Sequence, residues 1–160
     1  MPMTPIEEAI AAAREEDFLR ALTLFLDIYG TDDAPPMRNP KDAGGLSYFG
    51  LTLAMMQKKI KPAIDLCRRA IDLEFYNGDH CANLARVYVA AGNRKKAMET
   101  LEQGLKLAPE HDYLLQVRKS LGIRSRPAVP FLDRSHPINV TLGQARHAKK
   151  TADPVRKKKP

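Results

Sequence analysis

The chain has 160 residues, 44% of them hydrophobic, no tryptophan and two cysteines, which fits one domain with an ordinary core. No run reaches the ~18 apolar residues of a membrane span. The acidic Glu7-Glu8 start, with no cationic or apolar stretch before it, argues against a secretory signal, so a cytoplasmic location is expected. The net charge of +7 is unevenly placed: residues 1–117 hold 14 Lys and Arg against 17 Asp and Glu, whereas residues 118–160 hold 12 against two.

Helices dominate in chain order. Thr4 with Glu7 forms a capping box, and Pro5 suits the first helical position. The first helix should end near Arg14 and a second should run from Phe18 to Tyr29, stopping at Gly30. The segment Thr31–Lys41 carries three prolines and two aspartates, so it reads as an exposed loop or as a flap beside a groove. Further helices are expected over 43–56, 60–73, 79–91, 94–107 and 111–121. Gly92-Asn93 marks a turn, and Asn93 can cap the helix that follows. Pro109 stops that helix, because the residue before a proline leaves the helical region.

The apolar spacing within this array is informative. Cys81, Leu84, Ala85 and Tyr88 form one helical stripe, and Ala97, Leu101, Gly104 and Leu107 another. Small residues at 85, 97 and 104 mark where two helices approach closely. Ala63, Cys67 and Ala70 stand 34 residues before Ala97, Leu101 and Gly104. Farther upstream, Ala21, Phe25 and Ile28 fill the same places.

Leu84-Ala85, Tyr88, Gly92, Ala97, Leu101, Gly104 and Pro109 resemble the tetratricopeptide repeat in type and spacing. Cys81, Ala85 and Gly104 depart from its usual aromatic, glycine and alanine, exchanges expected to loosen packing. The resemblance covers about residues 4–110. It implies an all-α fold: a right-handed solenoid of about three helix-turn-helix pairs plus a capping helix, over residues 1–122. A proline-rich basic tail with one short helix follows. Residues 123–150 should dock on the repeats through Val129, Phe131 and Leu132. Ser135 can cap a helix starting near Pro137, with Ile138 and Leu142 on one face. Residues 151–160 should be disordered.

No catalytic constellation stands out. The four histidines are scattered, and there is no CxxC, HExxH, phosphate loop or G-x-S-x-G. No enzyme activity, metal or cofactor is expected. Cys67 and Cys81 read as buried thiols, and a zinc site would have to recruit them with His80.

Stacked repeats place function on their concave face. The line matching the family's groove is Ala82, Asn83, Arg86 and Val89, with Ser47, Leu51 and Met55 before it and Tyr113 and Gln116 after it. An apolar groove containing methionine suits a peptide; the competing reading is that Leu51 and Met55 pack under a neighbouring helix. Asn83 and Arg86 match part of the clamp by which some family members hold an acidic C-terminus. The flanking cations are missing, so that clamp is not expected. The expected function is a non-catalytic adaptor or assembly factor holding a protein or peptide in the groove. The alternatives are a chaperone of the type III secretion translocator class and a nucleic-acid-associated protein acting through its basic tail. Weak polyanion contact by the tail is expected in any case.

Overall fold

In the computed structural model, residues 2–30 and 42–122 are described, with 137, 138, 140–142 and 144 of the remainder. The expected loop over 31–41, the docking of Val129, Phe131 and Leu132, and the tail beyond 150 lie outside the described residues. Among the described residues of the first unit there are seven helices: α1 (Pro5–Arg14), α2 (Phe18–Tyr29), α3 (Ala43–Gln57), α4 (Ile60–Leu73), α5 (Gly78–Ala90), α6 (Arg94–Leu107) and α7 (Asp112–Leu121). Residues 122–160 form a second unit, in which the described residues of 137–144 are helical. There the Thr141 hydroxyl donates to the Pro137 carbonyl, 3.0 Å away.

Local chemistry sets the helix boundaries. Thr4 Oγ1 accepts from the Glu7 amide while Glu7 Oε2 accepts from the Thr4 amide at 2.7 Å, completing the capping box of α1. Asp17, Asn77 and Asn93 cap α2, α5 and α6 through amides two or three residues on. Each cap satisfies one donor that the first helical turn leaves without a partner. The turns inside the three pairs pass through left-handed backbone at Glu16 (φ 63), Lys58 (φ 58) and Gly92 (φ 72). Only glycine takes that conformation without a Cβ penalty of ~1–2 kcal/mol. Lys58→Gly should therefore stabilise the protein by about 0.5–1 kcal/mol once glycine's greater unfolded-state entropy is counted. A thermal melt should rise by about 1–4 °C; a fall would mean that the Lys58 side chain makes a compensating contact.

Packing follows a simple order. Each pair closes on itself (α1 with α2, α3 with α4, α5 with α6), and successive helices between pairs also touch. The first helices form a second ladder, α1 against α3, α3 against α5, and α5 against α7. One core runs through all three pairs, from Ala9, Ala21 and Phe25 through Phe49, Leu66 and Cys67 to Leu84, Leu101 and Leu114. Phe25, Tyr29 and Phe49 join the first pair to the second, with ring centroids 5.4 Å apart for Phe25–Phe49 and 5.5 Å for Tyr29–Phe49. α7 covers the far end with Leu114 and Val117. The Arg94 guanidinium binds the Leu121 carbonyl, fixing the end of α7 to the start of α6.

Gly104 is where the expectation of loose packing needs correcting. A Cβ there would lie 2.8 Å from Cys81 Cβ and 3.1 Å from both Leu114 methyls. The space freed by the glycine is taken by α5 and α7 moving in, so this exchange tightens the contact. Gly50 plays the same part between α3 and α4, with the Ala63 carbonyl 2.8 Å from its absent Cβ.

Candidate functional site

The first-helix ladder holds all the residues expected to line a groove, but it sorts them into two sets. Ser47, Leu51, Ala82 and Asn83 are fully buried. They cannot meet a partner directly, which corrects their assignment as contact residues. The reason lies in α3, which has α1, α2, α4 and α5 around it and buries 11 of its residues between Ala43 and Ala54. Leu51 and Ser47 therefore have no free side. Met55, Arg86 and Tyr113 are partly exposed, and Val89 and Gln116 are exposed, so these five stand at surface positions near the C-terminal half of α3 and α5 and along α7.

What closes the other half is a pair of polar networks, the first built from residues outside the expected site and the second joining the expected Ser47, Asn83, Arg86 and Tyr113 to Glu16. In the first, Arg14 Nε donates to the Tyr48 hydroxyl at 3.0 Å and Arg14 Nη2 to Asp79 Oδ2 at 2.7 Å. Tyr48 donates to the same carboxylate oxygen at 2.8 Å, and His111 Nε2 lies 3.3 Å from Asp79 Oδ1. In the second, Arg86 Nη2 donates to Glu16 Oε1 at 2.8 Å and Arg86 Nη1 to the Tyr113 hydroxyl at 3.0 Å. Tyr113 donates to Asn83 Oδ1, and Asn83 Nδ2 to Ser47 Oγ, each at 3.0 Å.

These networks tie the first pair directly to the third. Packed helices sit ~8–10 Å apart, so in a flat row α1 and α5 would be about twice that distance from each other. Arg14 reaching Asp79 and Glu16 reaching Arg86 require the row to bend toward that side. The inner face is concave, and its own side chains fill part of the concavity. Periodicity could not show this, because the partners lie 65 and 70 residues apart.

The two networks differ in accessibility. The Asn83–Ser47 bond is buried, and breaking it would leave a buried amide without a partner. The Glu16 side chain is 66% exposed while Arg86 is 17% exposed, so this ion pair is a surface one and contributes little to stability. Arg86 also lies 5.6 Å from the centre of the Phe18 ring. Burial pushes the Tyr113 and Tyr48 hydroxyls above their usual pKa, keeping both protonated as donors. Burial likewise raises the Cys67 thiol to about 12 and keeps it in the unreactive form. His80 is buried and its pKa is lowered by desolvation. Its Nε2 lies 3.3 Å from Glu74 Oε2. Among the described residues, no group of three or more His, Cys, Asp or Glu is placed to hold a metal ion, and no helix is long and apolar enough to cross a membrane.

Helix pairs stacked so that their first helices form a concave ladder define a helical-repeat protein. Residues 54–121, from the end of α3 through α7, match the family model of the tetratricopeptide repeat. Comparison with curated proteins finds no match to the chain. The family's repeats are in general protein-interaction modules.

Proposed function

We propose that this protein is a non-catalytic adaptor or assembly factor that holds a protein or peptide partner on the open half of its concave face. The residues that would meet the partner are Met55, Arg86, Val89, Tyr113 and Gln116. The observation that carries this reading is the setting of Arg86. Its guanidinium stands where side chains from α2, α5, α7 and the α1–α2 turn converge, on an aromatic ring, with exposed Val89 one turn away. Glu16, held only by a surface ion pair, is readily displaced. A partner's carboxylate or carbonyl can replace it at little cost, while Tyr113 keeps Arg86 in place.

A photo-crosslinking amino acid at Val89 or Gln116, in the full chain, tests this in the cells that make the protein. Both positions should trap the same adduct, unaffected by nuclease and weakened several-fold by Arg86→Ala. The same crosslinker at the exposed Glu102 of α6 should not trap it. Equal trapping at Glu102 would remove the concave face from consideration. An adduct lost on nuclease treatment would point instead to nucleic acid.

A further inference from the structure

Outside the concave ladder, a cleft of about 390 Å³ opens between α4 and the α5–α6 hairpin, lined by Ile60, Lys61, Ile64, Asp65, Arg68, Tyr88 and Lys96. We infer that this cleft is a second binding site, for a short acidic peptide segment carrying one apolar side chain.

The α4 wall is built by spacing. Ile60, Ile64 and Arg68 recur every four residues, so they share one face of the helix, with Lys61 and Asp65 alongside. The facing wall is Tyr88 from α5 and Lys96 from the first turn of α6. Tyr88 is almost wholly buried, and its two accessible features are both used by cations. Arg68 Nη2 donates to its hydroxyl at 3.0 Å, and Lys96 Nζ lies 5.8 Å from its ring centre. Tyr88 thus acts as a post that holds two cations at the mouth of the cleft. A guanidinium has five donors and only one is engaged here. Among the described residues, Lys61, Arg68 and Lys96 make no ion pair, although Asp65 stands one turn from Lys61.

Charge complementarity selects the occupant. Three cations face one carboxylate in the lining. Cations pre-positioned by a buried phenol lose little freedom on binding an anion. The apolar walls select further: Ile60 and Ile64 are half-buried and offer an aliphatic side chain a place that phosphate cannot use. A nucleic-acid base has no platform to stack on, because the Tyr88 ring is covered. The volume falls in the range of small-ligand clefts, ~300–1,000 Å³, so only a few residues of the peptide enter. The chain's own basic tail has the wrong charge for this site.

The test uses the full-length ¹⁵N-labelled protein and two synthetic peptides, acetyl-Glu-Glu-Leu-Glu-Glu-amide and its Gln-Gln-Leu-Gln-Gln counterpart, at low salt. The acidic peptide should shift the amides of Ile64, Arg68, Tyr88 and Lys96, and added salt should weaken the effect. The double variant Arg68→Glu, Lys96→Glu should weaken binding at these residues by about tenfold or more. Tyr88→Phe keeps the ring and removes the post's hydroxyl; about a two- to threefold loss with unchanged melting is expected. The proposal fails if the two peptides bind equally well or if shifts are confined to residues 123–160 or to the concave face. It also fails if inorganic phosphate or single-stranded DNA perturbs the four amides as strongly as the acidic peptide does.

Discussion

Leu51→Asp should leave the protein unfolded at 25 °C, while Met55→Asp, one turn along the same helix, should leave it folded. Leu51 is fully buried between helices and Met55 is only partly so. The first change forfeits ~1.5–3 kcal/mol of apolar burial. It also places a carboxyl where nothing pairs with it, at several kcal/mol more even if the group stays protonated. The sum is comparable to the whole stability of a domain, ~5–15 kcal/mol. Leu51→Met, close in volume, should cost less than about 1.5 kcal/mol. Circular dichroism melts of the three variants decide the matter. A folded Leu51→Asp variant with wild-type melting would return Leu51 to the surface of the groove.

Phe49→Ala should lower the melting temperature by about 6–20 °C. Phe49 is fully buried and touches Phe25 and Tyr29 across the junction of the first and second pairs. Truncating such a ring typically costs ~3–5 kcal/mol, and in a chain of this size each kcal/mol moves the melt by roughly 2–4 °C. In a repeat stack the loss falls on one junction. Calorimetry should therefore show α1 and α2 loosening first, with a broader transition than in the wild type. Phe49→Leu, which keeps most of the apolar contact, should show a much smaller shift. A fall of less than about 2 °C for Phe49→Ala would mean that the junction does not depend on this cluster.

Much of the fold is legible in the chain because it depends on neighbours close in sequence. The stripe Cys81, Leu84, Ala85, Tyr88 and the positions Ala63, Cys67, Ala70, Ala97 and Leu101 are all buried. Thr4 and Glu7 cap α1 together, and Asn93 caps α6. α3 is the instructive miss. From Gly44 to Met56 its only polar side chains are Ser47, Tyr48 and Thr52, and a helix that is apolar all round is a buried one. That signal favours, of the two readings of Leu51, the one in which it packs under a neighbouring helix over the one in which it faces a groove.

By itself, then, the sequence determined the helices, the caps of α1 and α6, the pairing of the helices and the faces that pair, because a 3.6-residue period and a 34-residue repeat act over short separations. It also determined that the cations concentrate beyond residue 117. Only the tertiary structure decided how far the ladder bends, that Arg14 and Asp79 meet, and that Arg86 is held between Glu16 and Tyr113. It also decided that Arg68, Tyr88 and Lys96 share one cleft. Curvature accumulates from small offsets at each packed interface, such as the close approaches at Gly50 and Gly104. No single stretch of chain encodes the sum of those offsets, and that sum settles which inner residues are covered and which remain open to a partner.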